Sequence, residues 1–459
     1  MPDSTAEVLI CGAGIAGIAA AYHLAEKHSI KDILLVDERE PLSLTSDKST
    51  ECYRNWWPGP DDAMVQLMNR SIDILEQLAG ESGNVFQLNR RGYLFLTTDP
   101  HRAGDFRRLG GQAQAYGAGP LRVHNGGTSG PAYVPASPHG FESRLDGADL
   151  ILDPSLIHSH FSGLSPDTIA ALHVRRAGWL SAQQLGMYLL RKARDRGARL
   201  LKARVTGVDT RGGRVNSVRL AGESNQVIST HTFINAAGPL IKPIGWLLGA
   251  EVPVFSELHL KIACNDPIGV VPRDAPLLIW EDAQKLPFSD EERDFLSDDP
   301  EMTWLLNEFP RGVHTRPEGG SSSQVILILW TYDIQPKQPV WPVPVDPHYP
   351  EVVIRGLATM LPEMQKYFGR LPKPVVDGGY YTKTIENRPL VGPLPLEGAY
   401  LIGAFSGFGI MVSCAAGELL AAHVTGSDLP PYAASFALSR YDDPNYANLL
   451  ESWGDTGQL

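Results

Sequence analysis

Six residues near the start of the chain, Gly12-Ala13-Gly14-Ile15-Ala16-Gly17, restrict the fold more than any other stretch. The GxGxxG spacing alone is common, but here its surroundings match a dinucleotide-binding unit. It follows a continuously apolar run, Val8-Leu9-Ile10-Cys11, and opens an Ala-rich segment from Ile15 to about Glu26 that reads as a helix. A second apolar run, Ile33-Leu34-Leu35-Val36, ends in the acidic Asp37, about 20 residues beyond the last glycine. Strands this apolar belong in a parallel sheet covered on both faces. Gly12 permits the sharp turn, Gly14 lets the backbone approach a pyrophosphate, and Gly17 lets the helix lie close to the sheet. The N–H groups of the first helical turn, at Ile15 and Ala16, and the helix dipole favour phosphate. Asp37 accepts hydrogen bonds from ribose hydroxyls and disfavours a 2′-phosphate, which argues against NADP. Glu38 and Arg39 follow at the adenine side, where Arg39 either stacks on the base or is a solvated surface residue. This context outweighs the alternative of a glycine-rich turn with no ligand.

With 459 residues, 43% of them hydrophobic, the chain is long enough for two interleaved domains. A formal charge of −12 argues against nucleic acid or an anionic membrane surface as partner. No uninterrupted apolar run reaches the roughly 18 residues of a membrane span. The start, MPDSTAEVLI, lacks the basic and apolar regions of a signal peptide. Cys11, Cys52, Cys264 and Cys414 form no CxxC pair and no metal-ligand set, which fits a reducing compartment. The expectation is a cytoplasmic protein, a monomer or small homo-oligomer, without a metal.

The pattern along the chain predicts an α/β fold. A Rossmann-type FAD-binding domain, a parallel sheet with helices on both faces, is expected from residues 1–98, 176–250 and 378–430. An α+β substrate or cap domain with a mostly antiparallel sheet is expected from 99–175 and 251–377, and 431–459 form a tail. Residues 42–63 read as loop, about 62–79 as helix, 92–96 as strand, and 100–175 as holding short helices at most. A helix over about 181–197 precedes a hairpin-like stretch from 199 to 220, turning at Arg211-Gly212-Gly213.

FAD is favoured over NAD by three features. There is one GxGxxG, at the extreme N-terminus. The segment Val205 to Gly238 reads as the middle of a flavoprotein nucleotide domain, with Val205 against the adenine and Ala237 and Gly238 near the phosphates. A second glycine-rich strand-to-helix turn, Gly403-Ala404-Phe405-Ser406-Gly407-Phe408-Gly409-Ile410-Met411, can aim N–H groups at a flavin ring edge where negative charge develops on reduction.

Taken in order, these segments resemble the D-amino-acid oxidase superfamily, within it the glycine oxidase and monomeric sarcosine oxidase branch. The resemblance rests on CGAGIAGIAAAYHLA, the Ser/Thr/Arg loop holding Ser49, Thr50 and Arg54, the AAGP turn, TKTIENRPLVGP and GAFSGFGIM. It implies an FAD-dependent oxidoreductase that takes a hydride from the carbon next to nitrogen of a small amine or amino acid. The imine product hydrolyses, and O2 is the expected acceptor. A dehydrogenase of an amine or 2-hydroxy acid using another carrier, or a non-catalytic flavin subunit, are the alternatives. Tyr381-Thr382-Lys383-Thr384 resembles a stretch that in sarcosine oxidases follows a flavin-bearing Cys. Here Gly378-Gly379-Tyr380 precede it, so non-covalent FAD is expected. Ile410 and Met411 stand where a carboxylate-gripping Lys often follows the last turn, which suggests a bulkier or less acidic amine than sarcosine. Arg54 resembles the loop Arg that reaches flavin and substrate, and Arg388 is a candidate carboxylate ligand. Lys261, which shares a strand face with His259, is the candidate cation for O2 reduction, with His259 the weaker one. Trp56, Trp57, Trp280, Trp330 and Tyr332 are candidate pocket aromatics.

Overall fold

The computed structural model describes residues 4–126, 131–143, 145–223, 225–451 and 453. Its six-stranded sheet has the order Arg199–Lys202, Ile33–Asp37, Val8–Cys11, Phe233–Asn235, Ala399–Gly403, Leu390–Pro393, parallel except at the last pair. Side chains alternate strictly across it. Val8, Ile10, Ile33, Leu35, Ile234 and Ile402 face one core, under the helices Ile15–His28, Ala182–Asp195 and Gly409–Thr425. Leu9, Cys11, Leu34, Val36, Phe233 and Leu401 face another. That second face carries the short helix Ile241–Trp246 and a four-stranded sheet built on the hairpin Arg204–Arg211 and Arg214–Ala221. The Ala-rich first helix packs against Gly409–Thr425 so closely that a Cβ on Gly417 would lie 2.7 Å from the Ala19 carbonyl carbon. Among the described residues one helical stretch, Ser406–Thr425, is long and apolar enough to cross a membrane. It lies in this core, between the first helix and Ala63–Ser82.

The nine-stranded sheet runs Val375–Lys383, Phe255–Asn265, Val325–Leu329, His314–Pro317, Leu277–Trp280, Tyr93–Thr97, Ala170–Val174, Ala148–Ile151, Leu121–His124. Most of its pairs are antiparallel. Tyr93–Thr97 and residues 378–383, which the sequence grouped with the nucleotide-binding part, hydrogen-bond in this sheet. The helix Tyr349–Met360 covers it with Val352, Val353 and Leu357.

Residues 100–175 hold more helix than expected: Pro100–Ala115 spans 16 residues. Gly104, Gly110 and Gly111 lower its propensity and hid it. It forms because the Asp99 carboxylate accepts the His101 N–H, Pro100 occupies the first turn, and Phe106, Leu109, Gly110 and Ala113 make a buried stripe.

Candidate functional site

A cavity of about 340 Å³ opens at the C-terminal ends of the parallel strands. Gly12, Gly14, Ile15 and Ala16 form one wall, Asp37, Glu38, Arg39 and Val205 another. Ala237 and Gly238 lie between, and Gly403, Phe405, Ser406, Gly407, Gly409 and Ile410 close it with Ser49, Tyr381 and Thr382. Two helices point their N-termini into it, and neither end is capped by a side chain of its N-cap residue. Exposed N–H groups at such ends attract anions. Gly12 sits at φ +115°, where a Cβ would be 2.3 Å from the Ala236 oxygen, so only glycine makes this turn. The Asp37 carboxylate accepts the Ala13 N–H at 2.8 Å and the Arg39 N–H at 2.9 Å, fixing the turn while still facing the cavity. At the far turn Ala404 (φ 56°) and Ser406 (φ 49°) hold left-handed backbone, a strain common at ligand clamps.

The loop 42–49, which has no periodicity in sequence, forms a further wall. The second sheet fastens it. The Lys261 ammonium donates to the Asp47 and Ser49 carbonyls at 2.6 and 2.9 Å, and Arg316 donates to the Thr50 carbonyl at 2.6 Å. Ser46 accepts the Ile15 N–H at 3.0 Å, and Thr45 donates to the Tyr380 carbonyl at 3.2 Å.

A second cavity of about 60 Å³ adjoins the first and shares Ser49, Tyr381 and Gly407 with it. Its walls include Thr50, Arg54, Trp57, Tyr93, His259, His314, Thr331, Phe408 and Met411. Arg54 is buried, its guanidinium 4.6 Å from the Trp57 ring centroid and 5.5 Å from that of Tyr93. His314 donates from Nδ1 to the Gly312 carbonyl at 2.8 Å, which leaves Nε2 as an acceptor, 3.5 Å from the Thr50 hydroxyl. Burial lowers its pKa to about 4, so the ring is neutral near pH 7. The Tyr381 hydroxyl is buried on the wall of both cavities, beside Ser49.

The profile of the DAO family, described as FAD dependent oxidoreductase, matches residues 7–423. The chain belongs to this family. A mitochondrial dimethylglycine dehydrogenase from Rattus norvegicus is 24% identical over 321 residues, 67% of this chain and 33% of that protein. A mitochondrial sarcosine dehydrogenase from Mus musculus is 25% identical over 272 residues, 58% of this chain and 26% of that protein. The chain thus spans about a third or less of the curated relatives it matches. A solved L-proline dehydrogenase from P. horikoshii superposes with a TM-score of 0.72 at 19% identity, covering 96% of this chain and 99% of that one. A glycine oxidase from Geobacillus kaustophilus gives a TM-score of 0.71 at 16% identity, covering 95% and 99%. These two establish the shared fold.

The large cavity suits the FAD of this family: two helix N-termini, the first with its Ile15 N–H held by Ser46, a glycine cradle and an acidic residue beside it. Cys11 lines the cavity, but burial pushes its thiol up to about 12, so it is protonated near pH 7. Four residues expected at the cofactor do not line this cavity. Gly17 packs on the turn instead, where a Cβ would sit 2.0 Å from the Gly12 oxygen. Thr50, Phe408 and Met411 face the small cavity, because successive side chains of the loop and of the last turn diverge. Of the four candidate catalytic residues, Arg54 and His259 line the small cavity. Lys261 is spent on loop carbonyls, and the long stem that hides this in sequence carries its charge away from both cavities. Arg388 pairs with Asp61 and lies 4.6 Å from the Trp453 ring, also off both cavities. Among the candidate aromatics Trp57 lines the small cavity, while Trp280 and Trp330 are buried in the second core, with Tyr332 packed against it. His314, Thr331, Tyr93 and Ser46 were missed, since single polar residues on ordinary strands and loops carry no local signal.

Buried neutral histidines make stability pH-dependent. Burial lowers His23 and His314 to about 4 and His173 to about 3, against 6.5 for a free ring. The unfolded chain therefore binds more protons below about pH 6.5, and stability present above that pH is lost as pH falls through about 4. Each ring costs ~2 kcal/mol at about pH 5, so a melting scan should show Tm falling by several degrees from about pH 7 to about pH 5. A flat Tm would mean that these rings are solvated.

Proposed function

We propose that this oxidoreductase oxidises a small amino acid at the carbon next to nitrogen, using the small cavity as substrate site. One observation carries the reading: a buried arginine and a neutral imidazole share a chamber of about 60 Å³ that has the wall residues Ser49, Tyr381 and Gly407 in common with the cofactor cavity. Arg54, which donates from Nε to the Trp56 carbonyl at 3.2 Å, can add a substrate carboxylate to its partners through its terminal nitrogens. The lone pair of His314 Nε2 can accept a hydrogen bond from an N–H of the substrate nitrogen and so orient it. Trp57, Tyr93, Phe408 and Met411 exclude water from the reacting carbon. The bound FAD supplies the two-electron acceptor. The imine product hydrolyses after release. The chamber's size and Arg54 favour a small carboxylated amine over the bulkier, less acidic one that Met411 suggested. The relatives named for dimethylglycine, sarcosine, L-proline and glycine fall in this class. No cysteine occupies residues 378–380, which supports non-covalent FAD.

The test is anaerobic bleaching of the flavin by glycine, sarcosine, dimethylglycine, L-proline and L-lactate. At least one amino acid should bleach it and lactate should not; indifference to every amino acid would overturn the proposal. Admitting air then separates acceptors. Lys261, the expected helper of O2 reduction, is tied to loop carbonyls, and this favours an electron carrier over O2 as second reading. Little peroxide should form on reoxidation.

A further inference from the structure

We propose that Glu257, which touches neither cavity, is a positioning residue: through His259 it turns the Thr331 hydroxyl into an acceptor, so that the small cavity selects an amine over the matching 2-hydroxy acid. The proposal rests on the reading of that cavity as the substrate site.

Glu257 and His259 lie two apart on the strand Phe255–Asn265 and share a face. Both side chains are buried, 4% and 3% exposed. The Lys383 ammonium stands 2.7 Å from Glu257 Oε1, and His259 Nε2 stands 3.1 Å from Oε2. Burial alone would push this carboxyl up, but the bonds from His259 and Lys383 outweigh it and hold the group below its usual range. An ionised carboxylate only accepts, so Nε2 must carry a hydrogen. Burial keeps the ring's pKa below the ordinary value, and the neutral ring then has a lone pair on Nδ1. Nδ1 lies 2.6 Å from Thr331 Oγ1. The one hydroxyl proton of Thr331 therefore goes to Nδ1, and its lone pairs face the cavity it lines. Stacking on Tyr381, with ring centroids 3.9 Å apart and planes 20° apart, prevents the imidazole from rotating out of this chain.

The charge of Glu257 thus fixes three hydrogens in series, from Lys383, His259 and Thr331. His314 Nε2, fixed as an acceptor by the Gly312 carbonyl, lies on the same wall, where the Thr50 hydroxyl reaches it at 3.5 Å. A substrate ammonium or amine offers these acceptors two or three N–H donors, whereas a 2-hydroxyl offers one. A buried acceptor left without a donor is costly, which converts the difference into specificity.

Glu257→Gln is isosteric and reverses the chain. Its carbonyl oxygen stays on the Lys383 ammonium, so its NH2 meets Nε2. Nε2 then accepts, Nδ1 donates to Thr331, and Thr331 points its proton into the cavity. Three probes separate the steps, each titrated into oxidised holoenzyme and read as a perturbation of the flavin spectrum: acetate, glycolate and glycine. Acetate reports the carboxylate site alone. In the wild type, glycine should bind more tightly than glycolate. In Glu257→Gln that preference should shrink about tenfold or invert, with the acetate Kd unchanged within about twofold. Thr331→Val, which leaves the Glu257–His259 pair in place, should by itself shrink the preference to a similar extent. A preference that survives Glu257→Gln or Thr331→Val while acetate still binds overturns the proposal and leaves the substrate site standing. Wild-type holoenzyme that ignores acetate overturns the substrate site itself.

Discussion

With Arg54 holding the substrate carboxylate as proposed, Arg54→Met should lower kcat/KM for a carboxylate-bearing amine about 10²–10⁴-fold and leave FAD bound. The guanidinium is charged and buried against Trp57 and Tyr93, so a carboxylate bound there would meet it out of water. Removing one partner of such a desolvated pair costs about 3–5 kcal/mol, part of it the penalty of an unpaired carboxylate. Methionine fills much of the aliphatic volume, so folding survives with a loss of order 1–2 kcal/mol. The effect should vanish for the decarboxylated analogue of the same amine, which has nothing for Arg54 to hold. Steady-state kinetics on the pair, with flavin content measured alongside, decides it. A loss below about fivefold would assign the carboxylate to another residue.

Gly14→Asp should yield a folded, colourless protein, with FAD affinity reduced at least about 10³-fold. Gly14 is the N-cap of the helix Ile15–His28 and has φ −75°, which any residue adopts. A Cβ there meets the Ser46 Oγ at 3.3 Å, a contact that side chain can relieve. Aspartate is among the preferred N-cap residues, so the helix itself gains. The new carboxylate occupies the site a pyrophosphate would take and repels it. Melting temperature and the visible spectrum read the two effects separately. Gly12→Ala differs in kind, because its Cβ would strike the Ala236 carbonyl at φ +115° and damage the fold itself. A yellow Gly14→Asp protein would mean that phosphate does not bind at this turn.

What the sequence disclosed and what it withheld follow from the range of the forces involved. The two strand–turn–helix units were legible because backbone constraints at Gly12 and at 403–411 act within a few residues. The strands Val8–Cys11 and Ile33–Asp37 were legible as unbroken apolar runs because both faces of that sheet are buried. Placing His259 and Lys261 on one strand face was sound, yet it could not say which reaches a cavity. The answer depends on the loop 42–49, more than 200 residues away in sequence, whose carbonyls take up the Lys261 charge. Arg388 misled for the same reason, since Asp61 and Trp453 are brought to it by the fold. The helix Pro100–Ala115 was obscured by its glycines and is held by the stripe it buries.

The strand Ala399–Gly403 pairs directly with Phe233–Asn235 and carries the turn that faces Gly12 and Gly14 across the cavity. In synthesis these walls appear nearly 400 residues apart. At 5–20 residues per second, an N-terminal half emerging from the ribosome waits roughly 20 seconds or more for its other wall. Until then the inner edges of Phe233–Asn235 and the apolar face of the first helix are uncovered. The cofactor cavity is therefore complete only once residues 399–411 have been made and have paired with Phe233–Asn235.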